Sequence, residues 1–302
     1  MRSTSRLWPL LCGLSMSLAP GIAEGQPRDA GVAPAARPSV QQARAALSST
    51  DPVSVRAGIE QWGQIGGAPA VQALSARIRD GLSPDLLDLA IDGLVALRRP
   101  EAGGVLAELV QYRRSSVRKK AIEAIAETRA AGAEAAVVGA LGDADPAVRG
   151  AAARALAHLG ARGSVGALFV AFERGLPEAA AALGVLARPG HLARILGYLD
   201  DRPFARTAPA LAELLRRRDI PTATRIAAIG TIATHNVADV RGFLQQLASA
   251  LPAGDAVRNA AEAAIRSTEQ PIEVPAAAPA PAPAPAPVPA RAPAAAGQGG
   301  AR

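Results

Sequence analysis

The 302-residue chain has one cysteine, Cys12, and two methionines, Met1 and Met16, all within an N-terminal stretch that reads as a removable leader. A chain freed of that stretch has no thiol, which excludes disulfides, thiol catalysis and thiolate metal ligands. Histidine is scarce: His158, His191 and His235 are the three, and they fall at no ligand spacing. Aromatic residues make up 3%, too few to interleave exposed rings with cations as single-strand nucleic-acid grooves require. Phosphate-binding loops, nucleophile elbows and HExxH motifs are missing, and the paired carboxylates Asp200-Asp201 sit at a turn with no partner base. The sequence therefore predicts a non-enzymatic protein with no cofactor and no metal.

Three segments read as lying outside any folded core. Residues 1–23 begin with Arg2 and Arg6, run apolar from Leu7 to Ala19 and reach Gly21-Ile22-Ala23. That is the pattern of a signal peptide cleaved after Ala23, and the apolar run is too short to span a bilayer. Cys12 resembles a lipid-anchor site only weakly, because Leu11 stands where a small residue is required. Export to the periplasm or the medium follows as an expectation. Residues 24–38 read as a flexible leader. Residues 269–302 read as a Pro/Ala-rich disordered tail whose alternating prolines favour extended polyproline II, about 3.1 Å per residue. The mature chain is expected to have no transmembrane segment.

What the chain has in quantity is a repeat. Asp51-Pro52 leads to Trp62, Ser83-Pro84 to Leu94, Arg114-Ser115 to Ile125 and Asp145-Pro146 to Leu156, with spacings of 32, 31 and 31. Asp or Ser accepts hydrogen bonds from first-turn amides, and proline at the next position lacks an amide that would be unpaired anyway. Each first helix meets a break, at Gly66-Gly67, Pro100, Gly132 and Gly160. A second apolar pattern follows, as in Val71, Leu74 and Ile78, or Val165, Leu168, Phe169 and Phe172, with offsets that share one helical face. Ser39 and Gln42 form a capping box that opens a short helix to Leu47, which covers the first repeat.

The D-P-x-V-R start and A-x-A-L-x-x-L-G close in DPAVRGAAARALAHLG at 145–160 resemble HEAT repeats, in the short bacterial form also seen in phycobilin lyase subunits. The period is shorter than the roughly 40–47 residues of long HEAT repeats and close to the roughly 34 of tetratricopeptide repeats. Leu159-Gly160, however, closes a helix, whereas the tetratricopeptide pattern sets that pair inside one. The resemblance implies an all-α fold, an α-solenoid of stacked antiparallel helix pairs over 39–268, with binding on a concave face formed by second helices.

The later register loosens: Leu156 is followed by Leu183, Ile229 and Ile265 at spacings of 27, 46 and 36. The long gap predicts an additional helix over 204–217 before the pattern resumes over 221–234, and a last helix over 259–268.

Charge offers one dense cluster. Between residues 50 and 268 stand 26 Arg or Lys against 22 Asp or Glu, a net of +4. Arg113, Arg114, Arg118, Lys119 and Lys120 gather in RRSSVRKK, where a helix N-terminus disfavours cations by roughly 0.3–1 kcal/mol each. The resemblance implies that the arginine of the V-R step packs between repeats. In second helices the apolar offsets leave Gln72 and Ser75, Glu108 and Gln111, Arg194 and Tyr198, and Arg241 and Gln245 pointing away from the core. These are the candidate contacts to a protein partner, whose identity the sequence does not give. Two alternatives stand beside that reading. One is a polyanion or nucleic-acid binder through 113–120, which the mixed charge disfavours. The other is a chromophore-lyase relative, which the resemblance permits and the expected export argues against.

Overall fold

Helix starts dictate the architecture. In the computed structural model, which describes residues 38–235 and 238–269, Asp51 accepts hydrogen bonds from the amides of Val53 and Ser54 at 3.3 and 2.9 Å. Asp145 accepts from Ala147 at 2.8 Å. Ser39 and Gln42 bond reciprocally at 3.2 Å, as a capping box does. Ser83 and Arg114 occupy the equivalent positions without a side-chain cap. The expected signal peptide with its processing site, the leader up to Arg37 and the tail from Gln270 lie outside the described residues.

The helices come in order as α1 (Val40–Leu47), α2 (Pro52–Ile65), α3 (Gly67–Asp80), α4 (Pro84–Leu97), α5 (Gly103–Leu109), α6 (Ser115–Thr128), α7 (Glu134–Ala140) and α8 (Pro146–Leu159). Then follow α9 (Val165–Glu173), α10 (Pro177–Leu186), α11 (Leu192–Asp201), α12 (Phe204–Arg216), α13 (Thr222–Thr234), α14 (Ala238–Ala250) and α15 (Ala256–Glu269). No strand occurs among the described residues, and no helix among them is long and apolar enough to cross a membrane.

Two layers form. The helices α2, α4, α6, α8, α10 and α12 each pack on the next, and helices of the second layer also pack on the first-layer helix that follows them, as α3 on α4, α5 on α6, α7 on α8 and α9 on α10. The register residues Trp62, Leu94, Ile125, Leu156 and Leu183 are all buried between the layers. Alanine lets helices approach closely, and glycine does so further. A Cβ on Gly58 of α2 would stand 2.5 Å from the Leu47 amide nitrogen, and one on Gly103 of α5 would stand 1.9 Å from the Ala131 carbonyl oxygen. The chain is an α-solenoid, with α1 laid against α2 at its start.

Two expectations need correction. The first concerns helix ends: α4 and α6 stop at Leu97 and Thr128, before Pro100 and Gly132. They close on Arg98 and Arg129, both left-handed with φ of 49° and 50°, a conformation that costs a non-glycine residue on the order of 1 kcal/mol. The amides of Arg129 and Ala130 bond back to Ala126 and Ile125, satisfying the last carbonyls of α6,.

The second concerns the layers. The additional helix is α12, and it packs on α10, continuing the first layer. Two helices, α11 and α12, thus separate α10 from α13, where one would keep the alternation. Consequently α13 joins α11 and α15 in the second layer, while α14 packs on α12 in the first.

Candidate partner-binding face

On the second layer, side chains of α9 and α11 meet in a cluster. The α11 helix is amphipathic, whereas α9 is apolar almost throughout; its Phe169 and Phe172 are buried while Glu173, its last residue, is exposed. Arg194 of α11 places its guanidinium 4.0 Å from the centre of the Phe169 ring and donates to Glu173 at 2.7 Å and to the Tyr198 hydroxyl at 3.2 Å. The Tyr198 hydroxyl in turn donates to the same Glu173 oxygen, Oε1. Tyr198 packs on Phe172 with ring centres 5.0 Å apart, and His191 meets Phe169 edge-on at 5.7 Å. The Tyr198 hydroxyl and the Arg194 guanidinium hold the Glu173 carboxyl below its ordinary range, whereas burial and the bond to Glu173 push the Tyr198 phenol up. An arginine and a tyrosine are thus fixed in place on an exposed face before anything binds.

The other candidate residues are distributed differently from the expectation. Gln72 of α3 is exposed. Ser75 is buried, contrary to the expectation that it points outward, because α5 packs on α3, where Ser75 lines a recess with Gly104 and Val105 of α5. Glu108 of α5 accepts two hydrogen bonds at 2.9 Å from Arg79 of α3, tying the two helices together. That pairing holds the Glu108 carboxyl low. Gln111 lies in the turn after α5, since that helix ends at Leu109. Arg241 and Gln245 sit on α14, which the layer exchange puts in the first layer, away from Arg194 and Tyr198. Arg194 and Tyr198 are joined by a hydrogen bond. Phe169, expected only as a core residue, completes that cluster with Glu173 and Arg202, which the sequence did not single out; the one available signal was the unusual local density of aromatics at 169–204 in a chain otherwise poor in them.

The basic cluster does not form a patch. Arg118 faces the next repeat and pairs with Asp143 at 2.7 Å. Lys119 stays on its own helix, 3.7 Å from Glu123. Lys120 reaches back to α4, bonding the Asp88 carbonyl and the Asp92 carboxylate, each at 2.9 Å. Arg113 and Arg114 are exposed in the turn before α6. Three neighbouring cations therefore project in three directions, each with a carboxylate partner.

No group of three or more His, Cys, Asp or Glu placed to hold a metal occurs among the described residues. His158 stands in the last turn of α8, His191 accepts a bond from the Arg188 amide at 3.0 Å, and His235 lies 3.9 Å from Asp200.

The stretch 102–188, from the approach to α5 through the end of α10, matches the HEAT repeat family. Among solved structures, the chain is similar to the complex of CpcE and CpcF of phycocyanin lyase from Nostoc sp. PCC7120, at 18% identity and a TM-score of 0.41, over 82% of this chain and 100% of that one. It is also similar to a designed armadillo repeat protein, at 21% identity and a TM-score of 0.35, over 76% of this chain and 100% of that one. No curated protein sequence matches significantly. The chain is an all-α solenoid whose residues 102–188 match the HEAT repeat family.

Proposed function

We propose that this protein is an exported, non-enzymatic scaffold that binds a protein partner through the second-layer face around α9 and α11. The observation that carries the reading is the Arg194–Glu173–Tyr198 cluster, braced on Phe169 and Phe172 yet open to solvent. Arginine and tyrosine dominate binding hot spots, and a side chain already locked by packing loses little entropy when a partner arrives. The resolved titration shifts fit a structural role. Carboxylates are lowered by hydrogen-bonded partners, arginines are raised by carboxylates, and burial raises one tyrosine. None of these is the tuning towards neutrality that proton transfer at pH 7 calls for. Ion pairing of Arg118, Lys119 and Lys120 weighs against a polyanion site at 113–120, because a phosphate backbone is bound by cations free to neutralise it.

Crosslinked capture from the host cell envelope tests the reading. Tyr198→Ala is expected to lose a partner that the parent retains, while the triple variant Arg118→Glu, Lys119→Glu, Lys120→Glu keeps it once its folding is confirmed. Retention by Tyr198→Ala with loss in the triple variant would move the site to the basic cluster. Export is tested separately: the protein from its host is expected to begin at Glu24, and an intact Met1 terminus refutes it.

A further inference from the structure

A recess of about 410 Å³ opens beside this cluster, lined by Glu173, Tyr198, Asp201, Arg202, Pro203 and Arg206. Counting Arg194, which engages Glu173 from outside the lining, three arginines stand against the two carboxylates Glu173 and Asp201. Glu173 is engaged by Arg194 and Tyr198. Arg202 lies over the rings of Phe172 and Tyr198, 5.4 Å from each centre; its guanidinium hydrogen-bonds the Glu173 carbonyl at 3.4 Å and acts on the Glu173 carboxylate only at longer range. Arg206 is exposed, with its guanidinium 3.7 Å from the position a Cβ on Gly175 would take. Both guanidiniums thus converge on the turn at 173–175, and neither forms an ion pair among the described residues. Asp201 is the one remaining carboxylate in the lining.

The start of α12 adds to the imbalance. That helix begins at Phe204 beside the recess, with Pro203 as its N-cap, no side-chain cap bond and no acid in its first turn. First-turn amides and the positive end of the helix dipole therefore border the two arginines. Arg206 in that first turn is disfavoured by the dipole unless an anion sits nearby. A carboxylate between the guanidiniums would relieve both conflicts through charge-assisted hydrogen bonds. Tyr198 and Pro203 supply apolar surface at the rim, which a peptide can cover and a free inorganic anion cannot.

We propose that the recess takes a carboxylate side chain from an acidic segment of a protein partner, held between Arg202 and Arg206 at the start of α12. This inference rests on the partner face argued above and names the chemistry of what docks there.

Fluorescence anisotropy with the full mature chain tests it, using a dye-labelled peptide of alternating glutamate and leucine and a matched peptide with lysine for glutamate. The glutamate peptide is expected to bind and the lysine peptide to fail. Binding should weaken by about tenfold or more in Arg202→Gln, Arg206→Gln, as for truncation of paired charges at an interface. It should stay within about twofold in Arg113→Gln, Arg114→Gln, which removes the same charge from another exposed turn. Equal binding of the two peptides, equal losses in the two double variants, or displacement of the glutamate peptide by millimolar inorganic phosphate would each overturn the proposal. If Tyr198→Ala loses the captured partner while Arg202→Gln, Arg206→Gln retains it, the partner face stands and the carboxylate site falls.

Discussion

Arg118 of α6 clasps Asp143 in the turn after α7, with Nε and Nη2 each donating to one carboxylate oxygen at 2.7 Å. The third nitrogen of the same guanidinium, Nη1, donates to the carbonyls of Tyr112 and Arg113 before its own helix. Arg149 of α8 repeats the carbonyl part, bonding Asp143 and Ala144 at 2.9 and 3.0 Å, and Arg258 of α15 bonds Leu251 at 3.3 Å. The V-R arginine thus sits where the preceding helix ends and leaves carbonyls unpaired. The pair with Asp143 is mostly buried, the two side chains being 15% and 12% exposed. Arg118→Ala should therefore destabilise by roughly 1.5–3 kcal/mol, the range for hydrogen bonds to charged groups. A denaturant midpoint unchanged from the parent would show that the clasp is incidental.

The same pair sets a pH dependence. The Arg118 guanidinium holds the Asp143 carboxyl below its ordinary value, helped by the Asp145 amide. A group depressed in the folded state stabilises fully above its unfolded pKa, about 3.9 for aspartate, and that stability drains as pH falls through the lower folded value. Stability contributed by Asp143 should be constant at neutral pH and decline below about pH 4. Asp143→Asn should be less stable than the parent at pH 7, with the gap narrowing towards pH 2. A gap that is constant across thermal unfolding at successive pH values would contradict the assignment.

Local rules made much of this fold legible. Asp51, Asp145 and the Ser39–Gln42 box cap helices as their chemistry requires, and Trp62, Leu94, Ile125 and Leu156 are buried where a period of about 31 sets them. What stayed hidden depends on how repeats stack. Nothing local tells Lys120 to choose Asp92, 28 residues back, or Arg118 to choose Asp143, 25 residues on. Ser75 obeys the spacing of an outward residue on α3 and is buried by α5, a different helix. The additional helix was readable from the gap of 46 residues, but its effect on the layers was not, because that depends on α12 packing on α10. The candidate site suffered most, since it joins Phe169, Phe172 and Glu173 of α9 to Arg194 and Tyr198 of α11, and no local spacing links the two helices.

Close approach makes one glycine decisive for the N-terminal cover. With the Leu47 amide 2.5 Å from where its Cβ would be, Gly58 has no room for a side chain, and the obstacle is backbone that cannot rotate away. Gly58→Ala should therefore push α1 off α2 despite alanine's better helix propensity, which favours the substitution by about 1 kcal/mol. Hydrogen exchange is expected to rise across Val40–Leu47 while α8 keeps its protection. Unchanged exchange in α1 would show that the contact yields easily.

Position along the array should govern how far core damage spreads. Leu156 of α8 is fully buried, and α8 packs on α6, α7 and α10. Leu156→Asp places a carboxylate among apolar neighbours with no partner in reach, so several kcal/mol should be lost. Because each repeat draws its stability from its neighbours, α6 and α10 should lose protection as well. Ile265 holds the equivalent register position in α15 but is only half-buried, and its helix packs on α13 and α14 at the end of the described array. Ile265→Asp should accordingly cost less, about 1 kcal/mol, the centre of single-substitution effects, and should leave α2 to α10 protected. Residue-resolved hydrogen exchange on both variants measures the contrast, with Trp62 emission reporting the N-terminal repeats. Equal loss and equal spread from the two sites would mean that the array unfolds as one block, not through neighbour-by-neighbour coupling.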